Sequence, residues 1–272
     1  MGMPIAIRLA AAGADVSAFD PVVAAPAGVR AVADAAALAA SVDTLVSVLP
    51  GRAELMDAAP GILRSLRPSS TWLDLTSGDP SLATLLVAAA AARDIAMVSA
   101  PMGGGPAEAA AGTLTFFIGG PDAVVEPVMP VLRMLGSGLE RVGAGPGDGQ
   151  TLKLLVNLLW FGQAAAVTEA VLLGQRLGLT EDALRHVLPR TAAGSRFLDE
   201  YLGRLLDGDD VETFGIDRVV EELETLRNLA GESPFEVSAA VTRLHREALE
   251  RFGAVDGELL VARLLRERAR EE

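Results

Sequence analysis

The sequence predicts a parallel α/β domain followed by an all-helical one, with the boundary at 147/148. Three observations predict it. Short apolar runs alternate with helical stretches from residue 3 to residue 142. From about Asp148 the alternation stops, and helical periodicity continues to the C-terminus. The helix that opens this second half, over 149–177, is apolar on nearly every side.

The strands are expected at 16–19, 44–49, 71–75, 95–98, 114–118 and 139–142. Each run is short and apolar and is bounded by Gly, Pro or Asp. Helices are expected between them at 52–66, 80–92 and 121–135. The alanine-rich stretch 83–92 reads as helix because alanine is the best helix former. Strands alternating with helices imply a mainly parallel sheet covered on both faces. The 149–177 helix would be about 40 Å long at ~1.5 Å per residue. Its apolar surface calls for cover from a second domain or a partner subunit, so a homodimer is expected. Further helices follow near 180–190, over 194–229 with a break around 207–210, and over 233–268. There is no internal repeat and no linker of low complexity.

Composition narrows the function. Half of the 272 residues are hydrophobic and 22% are charged, which is globular and not disordered. A net charge of −13 argues against a nucleic-acid or anionic-membrane partner. The absence of cysteine excludes disulfides, thiolate zinc sites and cysteine nucleophiles. His186 and His245 have no partner at a metal-binding spacing, so no metal is expected. The N-terminus lacks the basic region and cleavage site of a signal peptide. The stretch 154–168 is bracketed by Lys153 and Glu169 and contains Asn157 and Gln163, too short and too polar for a membrane span. A cytoplasmic protein acting on a small molecule is the expectation. No Gly-x-Ser-x-Gly elbow or phosphate-binding P-loop is present.

Several segments carry chemistry. The opening Met1-Gly2-Met3-Pro4 leads into a helical stretch. Asp20 closes the 16–19 strand, where a carboxylate can accept hydrogen bonds from a ribose and repel a 2′-phosphate. No arginine follows it, which favours NAD over NADP. Leu49-Pro50 and Thr76-Ser77 lie at the carboxyl ends of strands, where open α/β sheets bind ligands. Gly103-Gly104-Gly105 forms a glycine-rich turn, whose backbone N–H groups can make an anion-binding nest. Lys153 is the only lysine; every other strongly basic residue is arginine. Lysine can lose a proton when desolvated and arginine effectively cannot. Asn157 lies four residues on, on the same helix face, so the two can converge on one oxygen.

Taken in order, these segments resemble the β-hydroxyacid dehydrogenase family, which includes 3-hydroxyisobutyrate dehydrogenase, tartronate semialdehyde reductase and the 6-phosphogluconate dehydrogenase type of NAD-binding domain. The resemblance covers nearly the whole chain. It implies a Rossmann-like domain, a long interdomain helix and a helical substrate and dimerisation domain. It also implies hydride transfer between a nicotinamide and a small 3-hydroxy acid or its semialdehyde. Lys153 and Asn157 match the family's catalytic helix. Gly2, Met3, Asp20, Leu49, Pro50, Thr76 and Ser77 match its cofactor segments, and Gly103, Gly104 and Gly105 its substrate loop. Downstream, Thr168-Glu169-Ala170 and Arg176-Leu177-Gly178 match the end of the long helix. Three departures stand out. Only Gly2 of the Gly-x-Gly-x-x-Gly fingerprint is present, and the family's first strand is missing ahead of it. Gly103 stands where the family has serine. Glu221, before Glu222-Leu223, stands where it has lysine. Two alternatives therefore stay open: an imine reductase on the same fold, and a non-catalytic dimeric relative that has lost cofactor binding.

Overall fold

The alternation of strands and helices is realised in the computed structural model, which describes residues 1–231 and 235–271. Two compact units divide the chain, Met1–Lys153 and Leu154–Glu272. The first begins with α1 (Gly2–Ala11), β1 (Ser17–Ala18), β2 (Arg30–Ala31), α2 (Ala35–Ser41) and β3 (Thr44–Ser47). It continues with α3 (Arg52–Ser65), β4 (Thr71–Asp74), α4 (Pro80–Ala91), β5 (Ala96–Ser99) and β6 (Met102–Gly103). After these come α5 (Pro106–Ala111), β7 (Leu114–Gly119), α6 (Asp122–Val125), α7 (Met129–Leu135) and β8 (Gly136–Gly143). The first turns of α8 (Asp148–Arg176) close the unit.

The sheet is mainly parallel, as expected, but it is in three pieces. β3, β4 and β5 form one, β1 and β2 a second, and β6, β7 and β8 a third. Among the described strands, only the β6–β7 pair is antiparallel. No described strand joins β1–β2 to β3–β4–β5. Side chains on the central strands alternate between two cores, because successive residues of a strand point to opposite faces. Leu45, Trp72 and Met97 pack with Leu55, Ile62 and Leu86 of α3 and α4. Leu73 and Val98 pack with Ile5, Ala109 and Leu132 of α1, α5 and α7. Each fully buried side chain of this kind contributes roughly 1.5–3 kcal/mol relative to exposure. Local caps agree with the pattern. Asp34 accepts the Ala37 N–H at 2.7 Å at the start of α2, and Asp79 accepts the Ser81 N–H at 2.7 Å at the start of α4.

Three local expectations change. The helix expected over 121–135 is broken into α6, a 3-10 turn at Glu126–Val128, and α7. Pro127 and Pro130 are the cause, since proline lacks the N–H that an α-helix interior needs. β2 and β6 were not expected; two residues are too few to display an alternation. The helix expected over 233–268 is two helices, and positions 233 and 234 lie outside the described residues.

The second unit holds the rest of α8, then α9 (Glu181–Val187), α10 (Arg196–Asp207), α11 (Ile216–Ala230), α12 (Glu236–Phe252) and α13 (Leu260–Glu271). The break expected around 207–210 is present, with Gly208 at φ +80° ending α10. Gly253 at φ +79° ends α12, a conformation that favours glycine. α8 is long and apolar enough to cross a membrane by length and composition alone. In this fold its Phe161, Ala164, Ala165 and Val171 are buried in the apolar clusters of the helical unit.

Candidate active site

Three parallel strands end at one level in the first unit. Ser47 of β3 pairs with Asp74 of β4, which pairs with Ser99 of β5. All three are buried. Buried polar groups need partners: Ser47 and Asp74 bond to each other and Ser99 bonds to Gln150, while Asp74 Oδ2 is buried without a hydrogen-bond partner. Trp72 Nε1–H donates to Ser47 Oγ at 2.8 Å, and Ser47 Oγ–H donates to Asp74 Oδ1 at 2.7 Å. The Thr76 N–H reaches the same Asp74 oxygen at 3.3 Å, and Thr76 Oγ1 accepts the Leu49 N–H at 3.1 Å. Burial pushes the Asp74 carboxyl up to about 6, against the opposing effect of the Ser47 and Thr76 hydrogen bonds.

This network brings two of the expected cofactor segments together. Thr76 is a buried brace that ties Leu49-Pro50 to the turn carrying Ser77. Gly2 belongs to the same corner, because a Cβ on it would lie 3.9 Å from the Cβ of Val48, just past β3. The first N–H groups of α1 carry no side-chain cap. An uncapped helix N-terminus beside a strand end suits the phosphates of a dinucleotide. Met3 is largely exposed on the first turn of α1. Asp20 is exposed after β1, and its Oδ1 accepts the N–H groups of Val22 and Val23 at 2.8 and 3.0 Å. Its carboxylate therefore orders its own turn.

The glycine segment is partly strand. Gly103 pairs with Thr115 across β6 and β7, and a Cβ there would lie 3.5 Å from the Phe117 ring. Gly104 has φ +103°, and a Cβ would meet Glu108 at 3.1 Å and Leu114 at 3.2 Å, so this position demands glycine. Gly105 starts α5, and its N–H donates to Glu108 Oε2 at 2.8 Å. One of the amides expected to bind an anion is thus engaged by a carboxylate of the chain itself.

Phe117 links this segment to α8. A Cβ on Gly149 would lie 2.2 Å from the Phe117 carbonyl oxygen, so only glycine allows the helix so close to β7. Asp148 Oδ2 accepts the Gly145 N–H at 2.8 Å at the helix start. Gln150 reaches into the strand ends: it donates to the Thr76 carbonyl at 2.7 Å and to Ser99 Oγ at 3.0 Å, and accepts the Gly78 N–H at 2.9 Å. Lys153 follows one turn later and is partly buried. Asn157 is buried one further turn along the same face.

In the helical unit, Asn157 Nδ2–H donates to Glu222 Oε2. Glu222 is buried, whereas Glu221 pairs with Arg218 at 3.0 Å on a partly exposed surface. Glu222 is therefore not a solvated helix charge. Gln150, Glu108 and Asp74 were not singled out. A signal existed for Asp74, a charged residue inside the apolar run 72–75, because such a group must find a partner; Gln150, between Gly149 and Thr151, carried none. Nothing local marks Glu108.

Comparisons with known proteins identify the family. A profile for the NAD binding domain of 6-phosphogluconate dehydrogenase matches residues 1–144. A second profile, NAD-binding of NADP-dependent 3-hydroxyisobutyrate dehydrogenase, matches residues 147–265. The chain is 29% identical over 255 residues to 2-(hydroxymethyl)glutarate dehydrogenase of Eubacterium barkeri, covering 90% of this chain and 84% of that protein. It is 32% identical over 209 residues to NAD-dependent L-serine dehydrogenase of Pseudomonas aeruginosa, covering 74% of this chain and 70% of that one. The crystal structure of 3-hydroxyisobutyrate dehydrogenase from Salmonella typhimurium superposes with a TM-score of 0.86 at 25% identity, covering 97% and 95% of the two chains. With both halves matched in order, and with a Rossmann-like unit followed by a helical one, the chain belongs to the β-hydroxyacid dehydrogenase family.

Proposed function

We propose that the chain is a nicotinamide-dependent dehydrogenase that interconverts a small 3-hydroxy acid and its semialdehyde, with NAD favoured over NADP. The observation that carries this reading is the placement of the only lysine. Lys153 stands one turn beyond a helix start that is hydrogen-bonded into the strand-end corner. Gly2, Met3, Leu49, Pro50, Thr76 and Ser77 would hold the dinucleotide, with Asp20 at its ribose. The nicotinamide, when bound, supplies or takes up the hydride. Lys153 gives a proton to the carbonyl oxygen in reduction and takes the hydroxyl proton in oxidation. Asn157 holds the same oxygen, and the Gly103-Gly104-Gly105 turn faces the carboxylate of the substrate through amides other than that of Gly105, which Glu108 holds. The hydroxy acids in the names of the relatives support this substrate class.

One observation favours a second reading, reduction of a non-acid substrate such as a cyclic imine. Glu108 takes the Gly105 amide and sets a carboxylate beside the glycine turn, where it would repel a substrate carboxylate. A single experiment separates the two. NADH and NADPH are titrated by fluorescence, and small 3-hydroxy acids, semialdehydes and cyclic imines are then screened by nicotinamide absorbance. Tighter NADH binding and turnover of an acid are expected. Turnover of imines alone would establish the second reading, and no binding of either coenzyme would sink both.

We also propose a cytoplasmic homodimer. Leu155, Leu159 and Leu173 are exposed along α8 at spacings that place them near one face, and Leu177, just past the helix end, is 82% exposed. A stripe of this kind is a self-association surface. Light scattering at micromolar concentration is expected to give twice the chain mass; a monomer would count against it.

A further inference from the structure

We infer that Gln150 is a positioning residue that sets the register of Lys153 against the cofactor-binding turn. The inference rests on the reading of Lys153 as the proton-transfer group and of the strand-end corner as the cofactor site. Gln150 is 2% exposed, and both ends of its carboxamide are used. Nε2 donates to the Thr76 carbonyl at 2.7 Å and to Ser99 Oγ at 3.0 Å, and Oε1 accepts the Gly78 N–H at 2.9 Å. These partners fix which way the amide faces. Turning it over would set N–H against N–H at Gly78 and oxygen against oxygen at Thr76.

The partners are the parts of the corner that a dinucleotide would meet. Gly78 and Thr76 bracket Ser77, and Thr76 Oγ1 holds the Leu49 N–H. One side chain of α8 therefore grips the turn after β4 and the end of β5 together. The clamp differs in kind from the other anchor of the helix. Gly149 lies against the Phe117 carbonyl, and that close approach sets how near α8 comes to β7. Contact of that sort has little directionality, whereas hydrogen bonds do. Gln150 sets the rotation of the helix about its axis. Lys153 lies three residues on, within one turn, so its direction follows that rotation.

Gln150→Glu and Gln150→Leu test this. A protonated glutamic acid retains one donor and still accepts the Gly78 N–H; an ionised one faces the Thr76 carbonyl with a charge. Read as a ratio to the wild type at each pH, which removes the titration of Asp74, Gln150→Glu is expected to bind NADH nearly normally in acid. Its affinity and kcat should then fall about tenfold as pH rises, the loss expected for roughly one charge-perturbed hydrogen bond. Gln150→Leu should show that deficit at every pH, with KM for the substrate changing less than kcat. Hydrogen exchange at Gly78 and in the first turns of α8 should speed up together in Gln150→Leu. Should Gln150→Leu fail to fold, Ser99→Ala removes one acceptor and is expected to shift exchange and kcat in the same direction by less. A deficit in Gln150→Glu that is flat with pH overturns the inference. So does a folded Gln150→Leu protein with wild-type coenzyme affinity, kcat and exchange. A wild type that binds no nicotinamide coenzyme defeats the functional reading, and exchange still decides the clamp: loss of protection confined to Gly78 overturns it.

Discussion

Replacing Lys153 with arginine is expected to leave coenzyme binding intact and to lower turnover by a factor on the order of 10² or more, the usual scale for a lost general acid–base. Arginine keeps the charge and most of the reach, but it does not release a proton near neutral pH. The substitution therefore separates proton transfer from electrostatic attraction. Lys153 is the only lysine in the chain, so no neighbouring amine can substitute for it. Asn157→Ala is expected to lower turnover less, because it removes a hydrogen bond to the substrate oxygen and not the proton relay. It also removes the donor to Glu222 Oε2, a hydrogen bond between two buried side chains. Some loss of stability should accompany the loss of rate. Steady-state kinetics with a substrate from the acid, semialdehyde and imine panel, beside coenzyme titrations, reads both. Near wild-type turnover by Lys153→Arg would remove Lys153 from the mechanism.

The two units are expected to respond to acid with opposite signs. Asp74 lies in the first unit, and burial raises its carboxyl from 3.8 to about 6. The folded state then holds the proton more tightly than the unfolded one. The corresponding stability is full below 3.8 and is lost as pH rises through about 6, so the first unit gains stability as pH falls across that window. His245 lies in the second unit, 0% exposed, with Nδ1 against the Val241 carbonyl at 2.8 Å and its ring 5.4 Å from that of Phe161. Burial lowers it from 6.5 to about 4, with the Val241 hydrogen bond opposing. Its unfolded form binds the proton more tightly. The stability is full above 6.5 and is lost as pH falls towards 4. Each effect is at most about 3 kcal/mol across its window, from the free energy of a proton shift of that size.

The protein carries its own reporters for this experiment. It has two tryptophans, Trp72 in the first unit and Trp160 in the second. Trp160→Phe leaves Trp72 to follow the first unit, and Trp72→Phe leaves Trp160 to follow the second. Denaturant midpoints between pH 7 and pH 4 should rise for the Trp72 signal relative to an Asp74→Asn control. They should fall for the Trp160 signal relative to a His245→Leu control. Slopes that do not change on either substitution would show that these two groups do not govern the acid response.

The sequence alone determined what depends on local geometry. Strand and helix periods are set within a few residues, so the alternation through the first half and its end near Asp148 were legible without coordinates. The spacing of Lys153 and Asn157 was legible for the same reason, since four residues are about one helical turn wherever the helix lies. Tertiary structure decided the rest. The partners of Gln150 lie 51 to 74 residues away, and Glu222 lies 65 residues from Asn157. Such pairings depend on which strand lies beside which and on where a helix face turns, and no local pattern encodes that. The division of the sheet into three pieces is equally non-local, because a two-residue strand such as β2 has no period of its own and exists only where a neighbour accepts its hydrogen bonds. The occupied amide of Gly105 marks the limit most clearly. A glycine-rich turn reads as an anion nest in any sequence, and only the fold shows that a carboxylate three residues on already sits in it.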